Sequence, residues 1–540
     1  MPGMQDGLIG WLSVMACTIS AVPAWLRWLR VAQREHYIAN ETSRCAGRWW
    51  TSSPLNWLAG IIAFAGLAVA PLWPAGALAT AAVTAVGPLG LGVRGRSSPL
   101  VWTRRLQTLA LVSGVFGLAL LALGAVLGRA PTAAAAIALA APVLVDLACR
   151  ATAPLERRLA ERFTDKAADK LRRVAPTVVA ITGSYGKTST KGALTHLASS
   201  SFFLLASPAS YNNRAGLART INENLTPGTE VFVAEMGTYG PGEIANLCTW
   251  IPPDIAVITA VGPVHLERFR SEDRVLAAKS EIFEHAGTLV LPIDDPRLAH
   301  LAKRYRTEGR RVVTCSGRTL ENPWKPEAST GAAPSTPPDL SVDVNVVEYQ
   351  GETTVLVGNQ MLADHLVVPT RPGNLACATA IALELGVTRE ELQRKLATLP
   401  AVAHRLEPIT TPSGLHVLDD TYNSNPAGCL AALAALKRMG KASKRLVVVT
   451  PGMIELGSRQ VQENMDFAAR AAAVASHLVI VGRLNRRALL AGADRCIAEC
   501  GTGAQTITVP TRQAAVAWVR QHTESGDAVL YENDLPDHFP

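Results

Sequence analysis

The segment Gly183-Ser-Tyr-Gly-Lys-Thr-Ser-Thr190 holds the residue types and spacing most suited to chemistry in this 540-residue chain. It follows an apolar, β-branched run, Thr177 to Thr182, and precedes a helix-compatible stretch, Lys191 to Ser199. A strand, a glycine turn and a new helix make a phosphate cradle. Glycines let backbone N–H groups crowd around phosphate oxygens, and the helix turns its positive end toward them. Lys187 is then placed to reach the β/γ-phosphates of a nucleotide, and Thr188 to offer a hydroxyl to Mg²⁺. Gly183, Ser184, Gly186 and Ser189 complete the cradle. The usual GxxxxGK[ST] spacing would need glycine at position 181, which is Ile181, so this is a shorter GxxGKT variant.

The elements around this loop read as a parallel α/β sheet. Apolar runs at Val231 to Met236, Asp254 to Thr259, Thr288 to Pro292 and Arg311 to Cys315 alternate with helical stretches. A Pro/Ser/Ala-rich segment, Glu321 to Pro338, reads as a flexible surface insertion, and Leu340 to Val368 as a small antiparallel hairpin group. A further unit begins near Thr411. Its strand candidates are Arg445 to Thr450, His477 to Val481, Gln505 to Val509 and Asp527 to Tyr531. None is followed by a GxGxxG dinucleotide fingerprint.

Before the loop the composition changes. Hydrophobic residues are 48% of the chain, and the excess sits in the first 150 residues. Leu8 to Leu26, Leu55 to Val93, Thr108 to Gly128 and Ala133 to Cys149 are almost uncharged. About 20 apolar residues cross a bilayer, so these runs predict five transmembrane helices, with Pro71-Leu-Trp-Pro74 dividing the longest run. Arg27, Arg30, Arg34, Arg44 and Arg48 mark one loop and Arg94, Arg96, Arg104 and Arg105 another; under the positive-inside rule both are cytoplasmic. Five spans then put the N-terminus outside and everything after Cys149 in the cytoplasm of a multi-pass plasma-membrane protein. Leu155, Leu159, Phe163, Leu171 and Val174 recur at helical spacing, which predicts an amphipathic connecting helix.

The net charge of +8 comes mostly from these loops, and no basic face with interleaved aromatics points to nucleic acid. Nine cysteines without a CxxC pair point to reduced thiols, and Cys496 and Cys500, one helical turn apart, to packing.

Further patterns follow the loop in order. They are Tyr211-Asn-Asn-Arg-Ala-Gly216, Ala234-Glu-Met-Gly237 with Pro241-Gly-Glu243, Val261-Gly-Pro-Val-His-Leu-Glu267, Ala277-Ala-Lys-Ser-Glu-Ile-Phe283, His404-Arg-Leu-Glu407 and Asp419-Asp-Thr-Tyr-Asn-Ser-Asn-Pro426. This series, over roughly residues 177 to 540, resembles the Mur ligase family of ATP-dependent amide ligases of peptidoglycan synthesis, most closely its D-alanyl-D-alanine-adding branch. The apolar runs and helical spacing give residues 1–150 as a transmembrane region and 151–176 as a connecting helix, and the resemblance implies 177–408 as the central ATP-binding domain and 409–540 as a C-terminal Rossmann-like domain.

It also implies a mechanism in which ATP converts a carboxylate donor to an acyl phosphate and an amine, an amino acid or short peptide, displaces phosphate. Thr188 and Glu235 would hold one Mg²⁺. His265 would hold a second, oriented by a carbamate on Lys279. Arg405 would contact the phosphates and Asp420 the ribose, while Asn212 and Asn213 would face substrate and the γ-phosphate. Leu291-Pro-Ile-Asp-Asp295 and Arg371-Pro-Gly-Asn374 depart from the family pattern, and the membrane spans occupy the place of its UDP-sugar domain. The expected function is therefore a membrane-anchored, ADP-forming carboxylate–amine ligase acting on a lipid-linked or membrane-proximal donor. The alternatives are the D-alanyl-D-alanine-adding reaction itself and an ATPase-coupled transporter. Against transport stand the near absence of charge within the spans and the lack of a Leu-Ser-Gly-Gly-Gln signature.

Overall fold

Where the apolar runs break decides the first part of the molecule. A computed structural model describes residues 2–94, 100–208, 211–264, 266–320, 341–422, 424–440 and 445–535. Met1–Ala160 makes up most of one unit; Glu161–Val481 and Asn485–Asp534 make up the other. The first unit is helical: α1 (Pro2–Arg34), α2 (Glu41–Trp50), α3 (Pro54–Val69), α4 (Gly76–Val86), α5 (Arg104–Val126), α6 (Ala130–Leu139) and α7 (Ala141–Val174), the last continuing beyond Ala160. Ser53, followed by Pro54, caps α3, and Thr103 caps α5. Trp28, Val31, Cys45, Trp49, Leu106 and Val145 form its largest interior cluster. Arg27 is buried and donates to the carbonyls of Thr84 at 3.0 Å and Gly87 at 2.8 Å, closing the C-terminal end of α4.

Among the described residues two helices are long and apolar enough to cross a membrane, Leu8–Arg34 within α1 and Arg104–Val126, or up to four segments if each bent pair counts as one span. The expectation of five does not follow. Leu55 to Val93 resolves into helices of 16 and 11 residues, about 24 and 16 Å at 1.5 Å per residue, each short of the roughly 30 Å of a hydrocarbon core. Ala133 to Cys149 is divided between α6 and α7, which bend by 74° at Ala140. With two to four candidate spans the parity is not fixed, so the external N-terminus inferred from five spans loses its basis. Residues 151–174 of the expected connecting helix are helical and continue α7 from Ala141 without a break.

In the second unit a nine-stranded sheet runs in the order β2-β3-β1-β4-β5-β6-β7-β8-β9. Its strands are β1 (Thr177–Thr182), β2 (Leu204–Ala206), β3 (Val231–Glu235), β4 (Ile255–Ile258), β5 (Thr288–Pro292), β6 (Arg311–Leu320), β7 (Val344–Tyr349), β8 (Glu352–Val357) and β9 (Gln360–Leu366). Pairing is parallel from β2 to β7, and β8 and β9 add the antiparallel hairpins expected near residue 340. Period-two alternation sends the two faces of β1 into different cores. Val178 and Ala180 pack with Leu217, Ile221 and Phe232; Val179 and Ile181 pack with Leu194, Leu197 and Ile381. The intervening helices are α8 (Lys187–Ala198), α9 (Arg214–Asn224), α10 (Glu243–Cys248), α11 (Leu266–Phe269), α12 (Glu272–Ser280) and α13 (Pro296–Thr307), and α14 (Pro372–Glu384) follows β9. The expected insertion Glu321 to Pro338 lies outside the described residues.

A six-stranded sheet follows in the order β10-β11-β15-β12-β13-β14, from β10 (Glu407–Thr410), β11 (His416–Asp420), β12 (Leu446–Thr450), β13 (His477–Val481), β14 (Gln505–Val509) and β15 (Ala528–Glu532). Only β10 is antiparallel to its neighbour. In the first sheet β1 lies between β3 and β4, so the loops leaving all three converge at their C-terminal ends, where parallel sheets bind ligands.

Candidate active site

The loop leaving β1 turns in two glycines. Gly183 has φ +153° and Gly186 φ +81°, and a Cβ at Gly186 would stand 2.1 Å from Oδ1 of Asn374. Gly186 then caps α8, whose first residue is Lys187. Lys187 Nζ folds back onto the Gly183 carbonyl at 2.8 Å, and burial, opposed by Glu235, lowers its pKa. Ser184 spends its hydroxyl on the Gly262 backbone, accepting from Gly262 N at 3.0 Å, and its own N–H donates to Ala260 at 2.8 Å. Ser184 therefore shapes the loop.

Glu235 ends β3 beside this loop, 3% exposed. Its Oε2 accepts from Thr188 Oγ1 at 3.1 Å and from Lys191 Nζ at 2.8 Å, and its Oε1 from Asn212 Nδ2 at 3.4 Å. Burial pushes this carboxyl up, but the Lys191 and Lys187 ammoniums outweigh it and hold the pKa below the ordinary value. Thr188 and Glu235 present the hard oxygen donors a Mg²⁺ takes, so the donor set fits the ion. Lys191 was missing from the sequence-based site. Its signal was there: it stands four residues after Lys187, on the same face of α8.

Lys279 lies at the end of α12, 3% exposed, with neither hydrogen bond nor ion pair among the described residues. Burial first, then Lys187, lowers its pKa well below that of an ordinary lysine. Phe269 of α11 and Val275 and Ala278 of α12 form a small apolar cluster beside it in the chain. His265 lies outside the described residues. Asn213 is exposed and caps α9, accepting from Gly216 N at 3.0 Å, so here the asparagine shapes a turn, while its neighbour Asn212 reaches Glu235.

Residues from three places line one cleft, among them Gly186 and Ser189 at the phosphate loop, Arg371 and Asn374 at the start of α14, and Arg405 and Asp420 at the second sheet. Arg405 stacks on the Tyr422 ring at 4.7 Å, and burial lowers its pKa. Asp420 accepts from Leu406 N at 3.2 Å; burial raises its pKa against the pull of Arg371 and Arg405. Sequence reasoning noted Arg371-Pro-Gly-Asn374 only as a departure, yet both end residues border the cleft. The other departure is structural: Asp294 accepts from Ser316 Oγ and Gly317 N, both at 2.7 Å, and Asp295 caps α13.

Residues 181–333 match the Mur ligase middle domain and residues 404–531 the Mur ligase glutamate ligase domain. A UDP-N-acetylmuramoyl-tripeptide–D-alanyl-D-alanine ligase of Mycobacterium leprae (strain TN) is 31% identical over 374 residues, spanning 66% of this chain and 70% of the relative.

The chain belongs to the Mur ligase family.

It is an ADP-forming, ATP-dependent ligase, and ATP with Mg²⁺ is the nucleotide and metal expected of a Mur ligase. The corresponding enzyme of Bacillus subtilis (strain 168) is 28% identical over 53% of this chain and 58% of its own length. Among solved structures, the MurF ligase of Thermotoga maritima in complex with ADP shares the fold with a TM-score of 0.57 at 24% identity, covering 69% of this chain and 80% of that one. MurF of Acinetobacter baumannii shares it with a TM-score of 0.56 at 23% identity, covering 69% and 77%.

Proposed function

We propose that this Mur ligase joins a peptide-bearing carboxylate to an amine of the D-alanyl-D-alanine type in peptidoglycan synthesis, through an acyl phosphate. The observation that carries this reading is the convergence of Lys187, Thr188 and Glu235 at the phosphate loop, whose Gly186 and Ser189 line a cleft together with Arg405 and Asp420. The mycobacterial and bacillary relatives are named for addition of D-alanyl-D-alanine to a UDP-muramoyl tripeptide, which supports that donor and acceptor.

A donor carboxylate oxygen attacks the γ-phosphorus of ATP, and ADP leaves. The amine nitrogen then attacks the carbonyl carbon, loses a proton, and expels inorganic phosphate carrying the donor's oxygen. Positioning and charge neutralisation govern the first step. Lys187 supplies the fixed cation, and Arg405 a second from the far side of the cleft. Thr188 and Glu235 would hold Mg²⁺, which supplies neutralising charge to the phosphates. Lys191 keeps Glu235 ionised in its buried place, and Asn212 orients the other carboxylate oxygen. Asp420 would accept from the ribose hydroxyls.

Lys279 is read as a carbamate site. Its neutral amine would attack CO₂ and lose a proton to solvent, and the resulting N-carboxylate would help hold a second Mg²⁺ together with His265. The supporting observation is a buried lysine without a partner among the described residues, with its pKa held low. Residues 177–408 and 409–540 are proposed as the catalytic domains, and residues 1–150 and 151–176 as the membrane region and its connection.

A second reading, a donor presented at the membrane, rests on one specific observation. The helices of the first unit leave Trp11 77%, Ile19 65%, Phe64 64%, Leu111 70% and Leu118 67% exposed, a density of apolar surface that suits a bilayer. The test is an assay of the full chain in detergent with ATP, Mg²⁺ and D-alanyl-D-alanine. UDP-N-acetylmuramoyl-tripeptide is supplied in one arm and a membrane lipid extract in the other, with phosphate release and product mass as readouts. Product in the first arm supports the soluble donor, and product only in the second supports the membrane-proximal one. Nucleotide turnover without amide in either arm would overturn the proposal.

A further inference from the structure

We propose that Glu272 is a positioning residue that couples nucleotide binding at the phosphate loop to docking of the second sheet's layer through Arg459. Glu272 opens α12, the helix that ends near Lys279, and Ser271 caps that helix by accepting from Arg274 N. Its two carboxylate oxygens face different partners. Oε2 lies 2.6 Å from Arg297 Nη1 on α13, and Oε1 lies 2.6 Å from Arg459 Nη1, at the end of the 3-10 turn Gly457–Arg459 in the second layer. One carboxylate thus bridges guanidiniums from the two layers.

Each end of the bridge leads somewhere functional. Arg297 is held by Asp295 at 2.7 Å and donates to the Val261 carbonyl at 3.1 Å. The next residue, Gly262, lies under the phosphate loop: a Cβ there would stand 2.5 Å from the Tyr185 hydroxyl, and Gly262 N donates to Ser184 Oγ at 3.0 Å. The Tyr185 oxygen is buried without a hydrogen-bond partner among the described residues, so this ring is packed in place by shape. At the other end, Leu266 N–H donates to the Glu455 carbonyl at 3.1 Å, a second contact from the same segment to the second layer. That layer brings Arg405 and Asp420 to the cleft, so its docking completes the nucleotide site.

Arg459 is 49% exposed and Glu272 26% exposed. Pairs this open to water contribute little to stability, and a weak contact that forms and breaks is what coupling between two layers requires. A device that links ADP binding to docking must do so reciprocally. The factor by which docking tightens ADP equals the factor by which ADP tightens docking.

Hydrogen exchange of the Leu266 amide in the full chain, with and without MgADP, reads docking directly; the amides of β1 and β12 serve as internal controls. In the native chain MgADP is expected to slow Leu266 exchange by about tenfold or more, a usual size for coupling between sites. Arg459→Ala and Glu272→Gln should each lose most of that slowing and weaken ADP by a matching factor. The double variant should lose no more than the worse single one, and Arg459→Lys should regain part of the effect. The proposal is overturned if Arg459→Ala keeps the full MgADP effect at Leu266. Additive losses in the double variant, or equal loss of protection at β1 and β12, overturn it as well.

Discussion

Lys191 Nζ and Glu235 Oε2 lie 2.8 Å apart, their side chains 7% and 3% exposed, at the point where the phosphate-loop helix meets the end of β3. The pair joins two neighbouring elements and keeps an acid ionised where burial alone would neutralise it. Removing one partner from a buried pair costs about 3 kcal/mol or more. Lys191→Met is therefore expected to lower unfolding stability by about that much in denaturant titrations. Adding Glu235→Gln to it should recover part of the loss, because the stranded charge is gone.

The same carboxyl sets an acid limb. Its folded pKa lies below its unfolded value of about 4.3, so its contribution to stability is fully present above that pH and is lost as pH falls through the folded value. Glu235→Gln should flatten the fall of stability below about pH 4, measured as unfolding midpoint against pH. An unchanged slope would mean the carboxylate is not held by its lysines.

Lys187→Ala removes the cation facing the transferring phosphoryl group and is expected to lower turnover by about 10² or more. Among the described residues its ammonium hydrogen-bonds only the Gly183 carbonyl, so the unfolding midpoint should move little. Normal turnover in this variant would contradict the role given to the loop.

Gly186→Ala asks an alanine to adopt φ +81° and to place a methyl 2.1 Å from Asn374 Oδ1. The left-handed backbone alone costs about 1–2 kcal/mol. ADP affinity measured by calorimetry should fall sharply, since either the loop or Asn374 must leave its place. Native affinity would show that the cradle tolerates rearrangement.

Lys279 separates stability from activity. A lysine whose folded pKa is depressed binds fewer protons when folded, so stability rises with pH between the folded value and about 10.4. In CO₂-depleted buffer Lys279→Met should be more stable than the native chain at neutral pH, while its turnover should be severely impaired. Small carboxylic acids at high concentration should partly restore turnover to Lys279→Ala by supplying the missing anion. Unimpaired turnover in Lys279→Ala would remove the case for a carbamate.

Much of this was legible in the sequence because it is local. Strand, glycine turn, lysine and helix adjoin in the chain, and β5, β13 and β14 fall on the expected residues, as buried strands bounded by turns do. What was not legible depends on distance or on helix breaks. β2 is three residues long, too short to show a period, and β10 is mostly exposed and carries no run of apolar residues. The partner of Lys191 lies 44 positions away, and nothing in its own neighbourhood names it. Hydropathy marked the first unit as apolar but not where its helices end, and so counted five spans where two long helices stand. Arg371 and Asn374 looked like departures because a motif was compared letter by letter, whereas their place depends on how α14 meets the loop.

The most direct test of an acyl-phosphate ligase follows one oxygen atom. Donor labelled with oxygen-18 in its carboxylate is incubated with the full chain, ATP, Mg²⁺ and amine, and the released phosphate is analysed by mass. The account predicts amide product and inorganic phosphate carrying one labelled oxygen for each bond formed, with neither product in Lys187→Ala. Unlabelled phosphate accompanying amide, or label appearing in AMP, would contradict it.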